Sequence, residues 1–91
     1  MFEPHFTSKF KKDYKKADKN PLRNIEDLDQ IISKLVLGES LESKYRDHAL
    51  KGDFLGCREC HIYPDWLLIY ILDHDVNIIT FVRLGSHSEL F

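Results

Sequence analysis

The sequence predicts a two-layer α+β domain, with an N-terminal strand and a helical hairpin packed on one face of an antiparallel β-sheet. Three observations carry that expectation. Apolar residues recur at spacings of three and four from Phe6 to Val36. Runs rich in β-branched and aromatic residues follow Gly56, and only short polar turns separate them.

Residues 2–6 read as an edge strand, where Pro4 is tolerable because an edge position need not donate a ladder hydrogen bond. Phe6, Phe10, Tyr14 and Ala17 then form one helical stripe, with lysines on the other faces. Thr7 or Ser8 caps its start, and Asn20-Pro21 ends it. In the second helix Ile25, Leu28, Ile32 and Leu35 make the apolar stripe, flanked by Ile31 and Val36. Asn24 is its N-cap, Glu26 and Asp27 suit the first turn, and Gly38 suits the exit. The short connection predicts that the helices fold back on each other. LESKYRDHALKGDF is polar and irregular, and it closes on a Gly-Asp turn signal. Strands are expected over residues 57–63, 66–72 and 76–84, joined by Pro64-Asp65 and Asp73-His74-Asp75. The middle one is apolar throughout, as a strand buried on both faces would be. Helices should cover one sheet face, leaving the other to solvent, a ligand or a partner.

Ninety-one residues make one domain, spanning 1–91. The formal charge of −2 is unevenly spread. Between Lys9 and Arg23, seven Lys/Arg oppose Asp13 and Asp18, so this segment carries +5 and the remainder −7. Such a run reads first as a solvated helix face, and second as an attraction for nucleic acid or an acidic protein. No apolar run approaches the roughly 18 residues a membrane helix needs. Glu3, Pro4 and His5 interrupt MFEPHFTSKFKK, so the expected location is the cytoplasm. Cys57 and Cys60 make no disulfide framework, and on a regular strand they face opposite sides, which rules out a shared zinc. Two structural thiols are expected. There is no Gly-rich phosphate loop and no G-x-S-x-G elbow, and neither a metal nor a cofactor is called for. His48, His61, His74 and His87 stand thirteen apart, but their flanks do not match, so no repeat is inferred.

The polar residues of RECHIYPDW are unusual for a strand and its turn. Regular alternation puts Cys57, Glu59, His61 and Tyr63 on one face, and Ile79, Phe81 and Arg83 together on one face of the last strand. On that layout His61, Asp65, Arg83 and His87 converge near one end of the uncovered face, and His48 joins from the polar loop. Histidines, a carboxylate and an arginine are the parts for cutting RNA by its 2′-hydroxyl. A base takes the 2′-OH proton, a cation stabilises the phosphorane, and an acid protonates the leaving 5′-oxygen. Each residue also has a plainer reading. A loop histidine is solvated, Arg83 pairs with Glu59 or Asp65, and Asp65 is a turn residue.

YRDHALKGDFLGCRECHIYPDWLLIYILD, followed by FVRLGSHSELF, resembles the YafQ branch of the RelE/ParE toxin superfamily. The resemblance covers residues 44–91; the helical half matches in layout alone. It implies a RelE-like, microbial-RNase-like fold and a toxin of a type II toxin–antitoxin system. Such a toxin enters the ribosomal A site, against 16S rRNA, and cuts mRNA there. The implied partners are a cognate antitoxin, the ribosome and mRNA, with operator DNA reached only through the antitoxin and no membrane. By the same resemblance the active-site positions are His48, His61, Asp65, His87 and Phe91, with Arg83 as the phosphate-stabilising cation. His87 is then the acid, His48 or Asp65 the base, and His61 a positioning or charge-stabilising group. Phe91 stacks on a base, Lys51 touches phosphate, and Trp66 either contacts substrate or, more readily, fills the core. One departure stands out: toxins of this kind tend to be basic, and this chain is −2. Two alternatives remain. A ParE-like inhibitor of DNA gyrase needs no histidine cluster, and a non-catalytic interaction module only binds a partner through its free sheet face.

Overall fold

Thr7 sets the first corner. Its Oγ1 accepts the Phe10 N–H at 3.0 Å, capping helix α1 (Ser8–Asp18), and donates to the Val82 carbonyl at 2.7 Å. In the computed structural model, which describes residues 1–91, α1 follows strand β1 (Glu3–Phe6) and precedes α2 (Ile25–Val36). Asn24 caps α2 as expected, its Oδ1 accepting the Glu26 N–H at 2.8 Å. Tyr14 Oη donates to Asp29 Oδ1 at 3.1 Å and ties the two helices together.

Strands β2 (His48–Ala49), β3 (Arg58–Tyr63), β4 (Trp66–Asp73) and β5 (Ile78–Gly85) complete a five-stranded sheet ordered β1-β5-β4-β3-β2, followed by a short helix, α3 (His87–Leu90). The expected all-antiparallel sheet needs one correction: β1 runs parallel to β5. The chain leaves β1 into a helix, not a hairpin, so that pairing is open to it. Strand β2 is a second correction. It lies in the segment read as irregular, yet His48 pairs with Glu59 and Ala49 with Arg58. Asp47 pins it, accepting from Tyr70 Oη at 2.7 Å and Arg58 Nε at 3.1 Å.

The core lies between helices and sheet. Phe10 and Ala17 of α1 and Leu28, Ile31 and Leu35 of α2 meet Cys60, Ile62, Trp66, Leu68, Tyr70, Ile79, Phe81 and Leu84. Cys57 and Cys60 are buried and unpaired, and burial pushes both thiols up, as expected of structural cysteines. On the opposite face Leu67 and Ile69 are also fully buried. That face is therefore not the bare surface the sequence reading left open.

Two β-bulges overturn the simple alternation. Ile69 stands opposite Arg83 and Tyr70 opposite Phe81, so Val82 is the extra residue. The bulge returns Leu84 to the core beside Ile79 and Phe81 and turns Arg83 to the other face. In β3, His61 pairs with Leu67 and Tyr63 with Trp66, leaving Ile62 over. Tyr63 therefore parts from His61 and joins the helix side, its ring 5.2 Å from Trp66 and its hydroxyl donating to Asp27 Oδ2 at 2.6 Å.

Candidate active site

Strand pairing puts His48 and Glu59 side by side on the face away from the helices, with His61 two residues along the same strand. Glu59 Oε2 lies 3.1 Å from His48 Nε2 and 3.5 Å from His61 Nε2. This carboxylate is only 5% exposed. Its burial fits the rule that a buried polar group finds hydrogen-bonding partners, here two imidazole nitrogens. The far side of each ring is also held. His48 Nδ1 lies 2.7 Å from the Arg46 carbonyl, and His61 Nδ1 lies 3.3 Å from that of Pro64.

His87 arrives from across β4, at the same end of the sheet. Gly85 pairs with Leu67, next to His61, and α3 begins two residues later. The His61 and His87 rings are 5.7 Å apart, and the His48 and His61 rings 6.3 Å. Asp65, in the β3–β4 turn, accepts the His87 backbone N–H at 2.9 Å, and the same oxygen faces Nδ1. That backbone bond first, and the ring second, hold the Asp65 carboxyl below its usual range. Phe91 lies 6.5 Å from the His87 ring and meets Phe54 edge-on at 5.4 Å; it is 62% exposed.

Helix α3 is short and needs anchors. Ser86 and Glu89 form a reciprocal capping box. Glu89 also takes Lys16 Nζ at 2.7 Å and Arg23 Nη2 at 2.9 Å, so α3 is latched to α1 and to the segment before α2. A Cβ on Gly85 would meet Glu89 Oε1 at 3.1 Å and Glu89 Cβ and Leu90 at 3.3 Å, so glycine at the end of β5 lets α3 fold back closely. Lys16 foremost, then the Ser86 N–H and Arg23, push the Glu89 carboxyl far below its ordinary value. A carboxyl lowered by folding contributes stability that is full above its unfolded pKa, about 4.3, and is lost as pH falls through the folded value. Glu89→Gln is therefore expected to lower stability by about 1–2 kcal/mol at pH 7. In urea titrations the gap from wild type should narrow only below about pH 4.3.

The structure thus gathers His48, His61, Asp65, His87 and Phe91. Arg83 stands in the same cross-strand row as Glu59 and Ile69, but Asp13 of α1 engages it. Nε and Nη2 reach the Asp13 carboxylate at 2.8 and 3.3 Å, and that carboxylate also accepts the Leu84 N–H at 3.0 Å. Asp13, and neither Glu59 nor Asp65, is its partner. Lys51 is exposed in the loop after β2. Trp66 is 1% exposed among core residues, so the substrate-contact reading of this residue is corrected. His74 lies apart, 5.5 Å from Phe2. Sequence reasoning missed Glu59 as a site residue, although its shared parity with His61 was readable.

No group of three or more His, Cys, Asp or Glu side chains is placed to hold a metal ion. No helix is long and apolar enough to cross a membrane.

A family model described as "Bacterial toxin of type II toxin-antitoxin system, YafQ" matches residues 2–91. The mRNA interferase toxin YafQ of Escherichia coli K12 is 33% identical over 87 residues, covering 94% of this chain and 91% of that protein. YafQ in the crystal structure of the E. coli DinJ–YafQ complex superposes with a TM-score of 0.90 at 32% identity, over 100% of this chain and 99% of that one. A metal-bound toxin from Helicobacter pylori gives 0.92 at 42% identity, with both chains fully covered. With its sheet order and histidine row in place, the chain belongs to the YafQ family of toxins from bacterial type II toxin–antitoxin systems.

Proposed function

We propose that this chain is an mRNA interferase, an endoribonuclease that cuts mRNA in the ribosomal A site and is restrained by a cognate antitoxin. The names of its relatives, an mRNA interferase and a toxin crystallised with DinJ, support that reading. It works in the cytoplasm, where ribosomes translate. The observation that carries it is the row His48, Glu59, His61, His87, spaced closely enough to surround one phosphodiester.

His48 and Glu59 act as the base. The Arg46 carbonyl fixes a proton on Nδ1, so the lone pair of neutral His48 is on Nε2; the 2′-hydroxyl enters between Nε2 and Glu59, which lies against that same nitrogen, and gives its proton to Nε2. Glu59, 3.1 Å away, then stabilises the imidazolium formed. The freed 2′-oxygen attacks phosphorus, and the P–O5′ bond breaks. His87, its Nδ1 held by Asp65, gives the Nε2 proton to the departing 5′-oxygen. Asp65 is thereby the orienting partner of the acid, which leaves the base role to His48. His61, between the base and the acid, offers a ring N–H to the phosphorane. Arg83 adds to it on release from Asp13, and Lys51 holds a flanking phosphate. Phe91, exposed beside His87, offers a face to an unstacked base. A gyrase-directed toxin of the same fold needs none of these groups.

The products test the chemistry. Translating ribosomes supplied with the protein should yield upstream fragments ending in 2′,3′-cyclic phosphate and downstream fragments starting with 5′-hydroxyl. Fragments starting with 5′-phosphate, or mRNA left whole, would refute the proposal.

A further inference from the structure

Behind the histidine row lies a cavity of about 440 Å³, within the size range of small-ligand sites. The 3₁₀ turn Ser43–Tyr45, the first turns of α2 and the β3–β4 corner enclose it. His61 lines both this cavity and the catalytic row, so the two spaces adjoin. Tyr45 and Tyr63 supply aromatic walls, and Arg46 supplies a guanidinium without a side-chain partner. Gln30 offers an amide that makes no hydrogen bond within the protein. Asp27 accepts from Tyr63 Oη through Oδ2, leaving Oδ1 unengaged.

Arg46 is also one of two non-glycine residues with positive φ, at 50°. A left-handed residue flanked by tethered neighbours is a common mark of a functional segment. Here the twist aims the Arg46 carbonyl at His48 Nδ1 and leaves the side chain at the adjacent cavity. The same backbone therefore sets the base and lines the neighbouring space.

We propose that this cavity is a nucleotide subsite, holding the base of the RNA residue next to the scissile phosphate. This rests on the ribonuclease reading above. The base takes the place of Lys44 Nζ, which stands 5.1 Å over the Tyr45 ring, its edge meets Asp27 and Gln30, and Arg46 takes its phosphate. A carboxylate oxygen beside an amide fits a base bearing an amino group next to a ring acceptor, and it disfavours uracil, which has no amino group. Specificity at that position of the mRNA is thus set outside the catalytic row.

Cut-site mapping on ribosome-bound mRNA tests it. Asp27→Asn keeps an oxygen for Tyr63 and swaps the free acceptor for a donor. It should shift the ratio of cuts, adenine or cytosine against uracil, by roughly tenfold toward uracil. Gln30→Ala, at an exposed residue, should flatten the same preference. Arg46→Gly accepts the positive φ, so it removes the guanidinium while sparing the backbone and should raise KM. Unchanged ratios in both Asp27→Asn and Gln30→Ala overturn the subsite while leaving the nuclease standing. So does complete loss of cleavage by Gln30→Ala with a normal melting curve, because a preference contact tolerates some substrates. A wild-type protein that cuts nothing overturns the underlying function instead.

Discussion

His87→Ala lowers the rate of mRNA cleavage by about two to four orders of magnitude, the usual reach of a general acid. The fold should survive. His87 is the first residue of α3, alanine suits a helix, and the bond to Asp65 that matters for packing comes from the backbone N–H. Ser86, Glu89, Lys16 and Arg23 still latch the helix. A single-turnover time course on ribosome-bound mRNA, with a thermal melt alongside, separates chemistry from stability. A variant cutting within a factor of about ten of wild type would remove His87 from the acid role and return the question to Asp65.

Trp66→Ala has the largest expected effect on stability, about 3–5 kcal/mol, because it empties a fully buried indole site. A domain of this size holds about 5–15 kcal/mol in all, so the loss removes a large share of the margin and should lower the melting temperature steeply. Trp66→Phe distinguishes packing from recognition. The indole Nε1 has no hydrogen-bond partner, so phenylalanine forfeits volume and no bond. It should melt somewhat earlier and cleave with an unchanged KM. A KM raised tenfold with an unaltered melt would put Trp66 back among the substrate contacts.

Both proposals depend on how side chains were sorted between faces, and there the sequence was only partly legible. Helical spacing and capping residues placed α1 and α2 closely, since Phe10, Leu28 and Leu35 repeat as a helix demands. The meander was readable from its short polar turns. The bulges at Ile62 and Val82 were not. A bulge is decided by strand register, and these two carry no glycine or other local mark. Their consequence was that Tyr63 was grouped with His61, and Arg83 with Ile79 and Phe81. Strand β2 was hidden for a related reason. Two residues are too few to show alternation, and what holds them is Asp47, through Tyr70 and Arg58. That the three histidines and Asp65 come together was legible from motif and parity. Glu59 was seen but passed over, because alternation says which way a carboxylate points and nothing of what meets it. Asp13 was invisible as a partner for Arg83, being seventy residues away in the chain.

Strand β4 has the widest reach. Leu68 and Tyr70 bind the helices from one side, while Leu67 and Ile69 form the dry bed beneath the imidazoles on the other. A change at Leu67 or Ile69 touches the packing of the sheet and the bed under the candidate site together. Selection for a tougher protein and selection for a sharper toxin would therefore compete in the buried first half of that strand. Room to evolve one without the other lies on the outward surfaces of the helical hairpin.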